Sequence, residues 1–345
     1  MKKIAYIWLF LSACTITSKS DEKVGIELIV SPIQVFNDEE NKLYLTDINL
    51  TNDENNLYGT IPDQGVIFKT DFHLSLLDVK YGRDLFPDFS FPSGLVVKGD
   101  ELFVEDLSNQ RLYVFDKLNL DLKETFRLPN PSMGIGLDVT KSRKLVYSIF
   151  PERDKTGLTI FDLSKNEVNT SKDFFKTNLD FRLHDQFRLG CICQNTKQIV
   201  SIGRFLPSLE ILDEDGSRIK SFDLTHIKPL KRAYDTLVNR RNSSPDFVQS
   251  NISQNIITSL DCFKDKILIG FTDLIGEKRE HVIHLVLLKI TESEIIFEKQ
   301  IKLKTNNEDE EYHFNAVKYN PNKKLLYAQG FETYQLYAFE VDLLN

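Results

Sequence analysis

The chain has 345 residues, 41% of them hydrophobic and 11% aromatic, with 25 Phe and 12 Tyr but a single Trp. That is ample material for a large core, and although the length allows two domains, all-β folds of this size are commonly one. A formal net charge of −8 argues against a nucleic-acid partner, because neutralising phosphates takes a basic surface.

Lys2 and Lys3 open the chain, and Ile4–Leu11 is an apolar run too short to span a bilayer. Leu11-Ser12-Ala13-Cys14 follows at once and resembles the lipobox of bacterial lipoproteins cleaved by signal peptidase II. The resemblance implies a signal peptide over residues 1–13 and acylation of Cys14. Several acyl chains anchor stably where one does not. An ordinary signal peptide that happens to end in Cys is the alternative. Thr15–Lys23 is polar apart from Ile16, so residues 14–23 read as a lipidated tether without structure of its own. In the enteric sorting rule an Asp after the lipidated Cys retains a lipoprotein in the inner membrane. Thr15 departs from that rule, so the expected location is the cell envelope at the outer membrane, with the periplasmic and surface sides both open.

From there the chain reads as short apolar strands between Gly, Asp, Asn and Ser turns. Residues 94–128 are the clearest unit, with strands at Leu95–Lys98, Leu102–Asp106, Arg111–Asp116 and Glu124–Leu128. The middle two are apolar on both faces, so the sheet should be buried on both sides, as in a propeller blade. Similar units recur. One precedes it (Ile33–Phe36, Lys42–Asp47, Gly65–Thr70, Leu76–Tyr81), and three follow. They run Ile135–Thr140, Lys144–Phe150, Leu158–Asp162, Val168–Phe174; then Gly190–Gln194, Gln198–Arg204, Leu209–Asp213, Arg218–Asp223; then Ile256–Phe263, Lys266–Asp273, Val282–Ile290, Ile295–Leu303. A sixth (Phe314–Tyr319, Lys324–Gly330, Gln335–Asp342) lacks its fourth strand, and Val24–Val30 is spare. The expectation is an all-β, six-bladed β-propeller of four-stranded antiparallel blades over residues 24–345. Its last blade is closed by the N-terminal strand at about 24–30, which removes an open edge.

At LFVEDLSNQRLYVFD the chain resembles NHL-type and TolB-like six-bladed propellers: an apolar strand ending in Asp, a polar turn with Asn, then a basic-apolar strand ending in Asp. With LSAC, nearly the whole chain is similar to the TolB-like propeller lipoproteins of Gram-negative bacteria. Those motifs belong to the fold, so the resemblance implies architecture and location without chemistry.

Short A–B and C–D turns and long B–C and D–A connections (48–64, 82–93, 175–189, 226–255, 304–313) suggest that one end of the ring does the work. The largest insertion places Leu230, Ala233, Tyr234, Leu237 and Val238 on one stripe of a helix over 229–241, opposite a basic face with Arg232, Arg240 and Arg241. It is either a lid that attracts an anionic partner or a helix packed on the propeller with a solvated charged face. Arg83 and Phe89 lie in an aromatic loop that either contacts a partner or plugs the gap between blades. Arg153, Arg188 and Arg204 fall near the rim and either ring a carboxylate or phosphate or are simply solvated surface cations; His184 and His313 fall near the mouth.

Cys191 and Cys193 share a strand face, so a bridge between them would be strained. All three remaining cysteines are expected to be small buried residues, with a bridge from Cys262 to either as the alternative, and no metal site is expected. No nucleophile elbow, zinc motif or calcium loop is present. The expected function is therefore a binding module for an envelope protein, glycan or small molecule, without catalysis or cofactor. The alternative is a metal-dependent hydrolase or lyase of the lactonase type, which would need a divalent ion in the central channel.

Overall fold

In the computed structural model, residues 26–36, 43–46, 48–85, 89–150, 157–170, 187–193, 195–243, 256–275, 280–291, 294–304, 314–330 and 333–345 are described. Two short strands come first, β1 (Ile26–Val30) and β2 (Gln34–Phe36). Blade one is β3 (Asn49–Asn52), β4 (Asn56–Ile61), β5 (Val66–Asp71) and β6 (Leu76–Tyr81), followed by one helical turn, α1 (Gly82–Leu85). Blade two is β7 (Pro92–Lys98), β8 (Glu101–Asp106), β9 (Arg111–Asp116) and β10 (Leu122–Arg127). Blade three is β11 (Asp138–Val139), β12 (Lys144–Ser148), β13 (Leu158–Asp162) and β14 (Glu167–Thr170). Blade four is β15 (Arg188–Ile192), β16 (Ile199–Gly203), β17 (Ser208–Leu212) and β18 (Arg218–Asp223), with helix α2 (Lys228–Ser243) after it. Blade five is β19 (Ile257–Phe263), β20 (Lys266–Ile275), β21 (Glu280–Ile290) and β22 (Ile295–Leu303). Blade six supplies β23 (Phe314–Asn320), β24 (Leu325–Gly330) and β25 (Gln335–Glu340). Each blade is an antiparallel meander, and six of them form the ring.

The second strand of each blade carries the pattern that makes this work. Leu102, Phe103 and Val104 of β8 are all buried, as are Ile199, Val200 and Ile202 of β16, because neighbouring blades cover both faces. Side chains such as Phe103 and Tyr147 fill the gap between blades two and three, and Tyr58 and Phe115 that between one and two. Each large apolar side chain so buried contributes roughly 1.5–3 kcal/mol.

The ring closes differently from the sequence expectation. β2, not the segment at 24–30, is the fourth strand of blade six: Gln34, Val35 and Phe36 pair antiparallel with Ala338, Tyr337 and Leu336. β1 lies parallel to β22 as a fifth, outermost strand of blade five, from Ile26 opposite Lys299 to Val30 opposite Leu303. Leu28 and Val30 pack on the core between blades five and six, whereas Phe36 packs in the core between six and one. These two burials decide which blade each strand joins.

Blade one is corrected accordingly. Its first two strands are Asn49–Asn52 and Asn56–Ile61, inside what reads as a long polar loop. Leu43, Leu45 and Ile48 are buried in the core between blades six and one without strand pairing, so the alternation in Lys42–Asp47 marks a plug. The remaining length asymmetry rests on the connections between blades.

Candidate functional site

The innermost strands converge on a central channel lined by Asn49–Thr51, Gly94–Val96, Ile135–Asp138, Leu189–Cys191, Thr258–Leu260 and Ala316–Lys318, one stretch from every blade. It encloses about 740 Å³, its open ends included. The wall is tight where glycine stands. A Cβ on Gly94 would sit 3.0 Å from Glu105 Oε2 and 3.1 Å from Leu137 Cβ; one on Gly136, whose φ is +65°, would sit 2.6 Å from Ser148 Oγ.

Charge enters the channel near the A–B turns. Asp138 accepts hydrogen bonds from the backbone N–H of Ile192 and of Val139, both at 2.7 Å. Burial pushes its carboxyl up from the usual range, partly offset by Lys98 and Lys318. The Lys318 ammonium donates to Asp261 at 2.5 Å, and Asp261 also accepts from Tyr319 N at 2.9 Å. Burial works against the Lys318 charge, but Asp261 and Asp138 outweigh it and hold its pKa up.

The carboxylates act as clips between blades. Asp138 of blade three reaches β15 of blade four, and Asp261 of blade five reaches β23 of blade six. Thr51 of blade one plays the same part by accepting from Val97 N of blade two at 3.3 Å. The ring joins up between blades six and one through Asn52 Nδ2 to Tyr319 O at 3.2 Å and Asn320 Nδ2 to Asp53 O at 2.9 Å. These clip residues were missed in the sequence. A polar residue late in the innermost strand, as in NLTN, LDV and SLDCF, is the signal that marks them. Among the described residues no group of three or more His, Cys, Asp or Glu is placed to hold a metal ion.

The predicted site residues are scattered. Arg83 is exposed on α1, with its guanidinium 5.2 Å from the Tyr81 ring centre. Phe89 is not a contact residue. It is 2% exposed and meets Tyr113 and Phe115 edge-on, plugging the gap between blades one and two. Arg188 is likewise no rim residue, being fully buried in blade four. Its Nε donates to Ser201 Oγ at 2.6 Å, its Nη2 to Ser201 O at 3.0 Å, and Glu210 Oε2 lies 3.7 Å away. Burial pulls the Arg188 pKa down to about 10, against the pull of Glu210, and pushes Glu210 up to about 6, against Arg188 and Arg218. Buried and paired in this way, Arg188 belongs to the interior of blade four.

Arg204 stands at the end of β16, its backbone bridging blades four and five. Arg232 is exposed on α2. Arg240 and Arg241 fall in the last turns of that helix, and their side chains lie outside the described residues, as do Arg153, His184, His313 and the lipidation candidate Cys14. Helix α2 buries Leu230, Ala233 and Leu237 in the core shared by blades four and five. That packing matches the docked alternative for this helix.

The cysteine expectation is also corrected. Cys191 of blade four and Cys262 of blade five form a disulfide, with Cα atoms 6.0 Å apart, and Cys193 remains a buried thiol. The two partners are 71 residues apart in sequence, and only the ring brings their strands side by side.

No protein-family model matches the chain, and no curated protein does. Solved structures do. The β-propeller domain of Cps50 (Swd1) from Myceliophteria thermophila superposes with a TM-score of 0.54 at 11% identity, covering 89% of this chain and 85% of that one. A Bacteroides fragilis protein described as exported gives 0.53 at 9% identity, covering 88% of each chain. At such identities the likeness is one of fold, and this chain is a six-bladed β-propeller.

Proposed function

We propose that the chain is a lipid-anchored envelope propeller of the TolB-like or NHL-like kind that binds a protein, glycan or small molecule at the end of the ring where the inter-blade connections gather, without catalysing a reaction. The observation that carries this reading is the open channel lined by all six blades, with α2 and α1 placed in two of the connections that lead to its mouth. Concave sites framed by loops on a rigid scaffold are the usual place for recognition. The channel carboxylates Asp138 and Asp261 are already engaged by backbone N–H groups and Lys318, which favours binding over metal-assisted hydrolysis. LSAC supports acylation at Cys14, and Thr15 in place of an Asp after it supports an outer-membrane location.

Crosslinking of the lipidated protein in its native envelope, read by mass spectrometry, tests the reading. Crosslinks should concentrate in residues 82–93, 175–189 and 226–255. Crosslinks spread around the blade sides would instead indicate a scaffold in an envelope assembly. Charge reversal at Arg232, Arg240 and Arg241 should weaken capture of that partner; unchanged capture would remove the basic helix face from the interface. Cys14→Ser should abolish incorporation of labelled palmitate into the protein, and undiminished labelling would refute the lipid anchor.

A further inference from the structure

One position on the second strand of a blade recurs as a reach across the seam to the next blade. Asn56, Glu101, Lys144 and Leu325 pair with the acidic ends of the third strands, Asp71, Asp116, Asp162 and Glu340. Four residues further along stand Thr60, Glu105, Ser148 and Gln329, all fully buried. Three of them spend a donor on the segment entering the following blade. Thr60 Oγ1 donates to Ser93 O at 2.7 Å, Ser148 Oγ to Arg188 O at 2.6 Å, and Gln329 Nε2 to Leu45 O. The entering residue then holds the second strand of its own blade: Ser93 Oγ donates to Glu105 O at 3.5 Å, Ser132 Oγ to Ser148 O at 3.2 Å, and Arg188 Nε to Ser201 Oγ at 2.6 Å. These bonds make a belt from blade one to blade four, and each donor that crosses a seam serves the following blade.

The belt has one gap, between Glu105 of blade two and Ser132 at the entry to blade three. Neither Glu105 carboxyl oxygen has a hydrogen-bond partner. The Ser132 proton is spent on Ser148 O, while its oxygen accepts from Gly134 N at 3.1 Å and keeps one lone pair. A carboxylate has no donor for that lone pair, whereas a carboxylic acid has one. The carboxyl faces the right way, because a Cβ on Gly94 would meet Glu105 Oε2 at 3.0 Å and Gly134 O at 3.6 Å. The titratable groups around it are Asp106 on β8 and Tyr147 on β12; Ser93 and Gly94 of β7 and residues 132–137 bring none. Burial, with Asp106 beside it, holds the Glu105 pKa up at about 8.

We propose that Glu105 is a proton-operated latch. As the neutral acid it donates its O–H to Ser132 Oγ and completes the belt between blades two and three. On losing that proton to solvent it releases the segment that carries Ile135–Asp138 into the channel wall. The wall at blade three thereby answers to pH, whatever the channel binds.

The test is a titration of the purified folded protein from about pH 5 to about pH 10, on either side of the raised Glu105 value, following backbone amides by NMR. The Gly134 amide, which donates to Ser132 Oγ, should shift with a midpoint near that value. Above it, hydrogen exchange in residues 135–139, corrected for its intrinsic pH dependence, should quicken about 5- to 10-fold, the worth of one hydrogen bond. Glu105→Gln supplies an N–H donor, as Gln329 does in blade six, and should remove both effects with the segment closed throughout. Ser132→Ala removes the acceptor and should lower the midpoint; a serine that merely donated to the carboxylate would raise it on removal. A Gly134 amide without a midpoint in this window, a midpoint that survives in Glu105→Gln, or one that rises in Ser132→Ala overturns the proposal. Should Glu105→Gln fail to fold, the wild-type titration and Ser132→Ala still decide it.

Discussion

Opening the Cys191–Cys262 disulfide, by reduction or by Cys191→Ser, is expected to cost about 4 kcal/mol of stability. The figure follows from the loop of 71 residues that the bond closes, which restricts the unfolded chain more than a short loop would. The bond also staples the innermost strands of blades four and five, where Ile256 and Ile257 already hang on Arg204. Urea unfolding with and without reductant measures the effect. The midpoint should fall, and the dependence on urea should steepen as the unfolded chain expands. Native Cys193 should resist alkylation, because burial, with Asp138 and Asp261 nearby, pushes its thiol up to about 12, leaving almost no thiolate at neutral pH. Equal midpoints for Cys191→Ser and wild type would refute the staple, unless peptide mapping shows Cys193 bonded to Cys262 in its place.

Stability should also fall as pH rises from about 4.5 to about 8, and Glu105→Gln should abolish much of that fall. Glu105 on β8 is fully buried, and neither carboxyl oxygen has a hydrogen-bond partner. Its Oε2 lies beside Gly94, and among the described residues no positively charged group offsets its burial. Ser132 is near enough to favour the charged form a little, but its hydroxyl donates to Ser148 O at 3.2 Å. Burial, reinforced by the neighbouring Asp106, raises the Glu105 pKa from 4.5 to about 8. The folded protein therefore keeps a proton that the unfolded chain releases, so folding takes up a proton across this window and loses stability as pH climbs through it. At about 1.4 kcal/mol per pKa unit the span is on the order of 5 kcal/mol. Wild type and Glu105→Gln should be of similar stability near pH 4, and the variant should be clearly the more stable near pH 9. Parallel pH profiles for the two proteins would show that the carboxyl is hydrated or paired in solution. Glu210, raised to about 6, contributes a smaller slope of the same sign and persists in both.

Much of the architecture was legible in the chain because its signals are local. Short apolar runs between turn residues placed β9 at Arg111–Asp116 to the residue and β8 within one, and the repeated unit led to six blades. The helix after blade four announced itself by its stripe of Leu230, Ala233 and Leu237. The hairpin of β3 and β4 was hidden because its turn, Asp53–Asn55, is embedded in a longer polar run, while the plug at Leu43 and Leu45 imitates a strand.

What the tertiary structure decided are the choices between distant partners of similar local merit. β1 and β2 are both short apolar strands, and only the surfaces offered by blades five, six and one assign β1 to β22 and β2 to β25. Cys262 had two candidate partners two residues apart, and the juxtaposition of β15 and β19 selected Cys191. Arg188 and Arg204 read alike as rim cations; the ring buried one beside Glu210 and left the other half-buried just after β16, with no carboxylate partner among the described residues. Alternation and turn chemistry act over a few residues and are written into the chain directly. Pairing, cross-linking and charge compensation depend on which blades become neighbours, and that is set only when the ring closes.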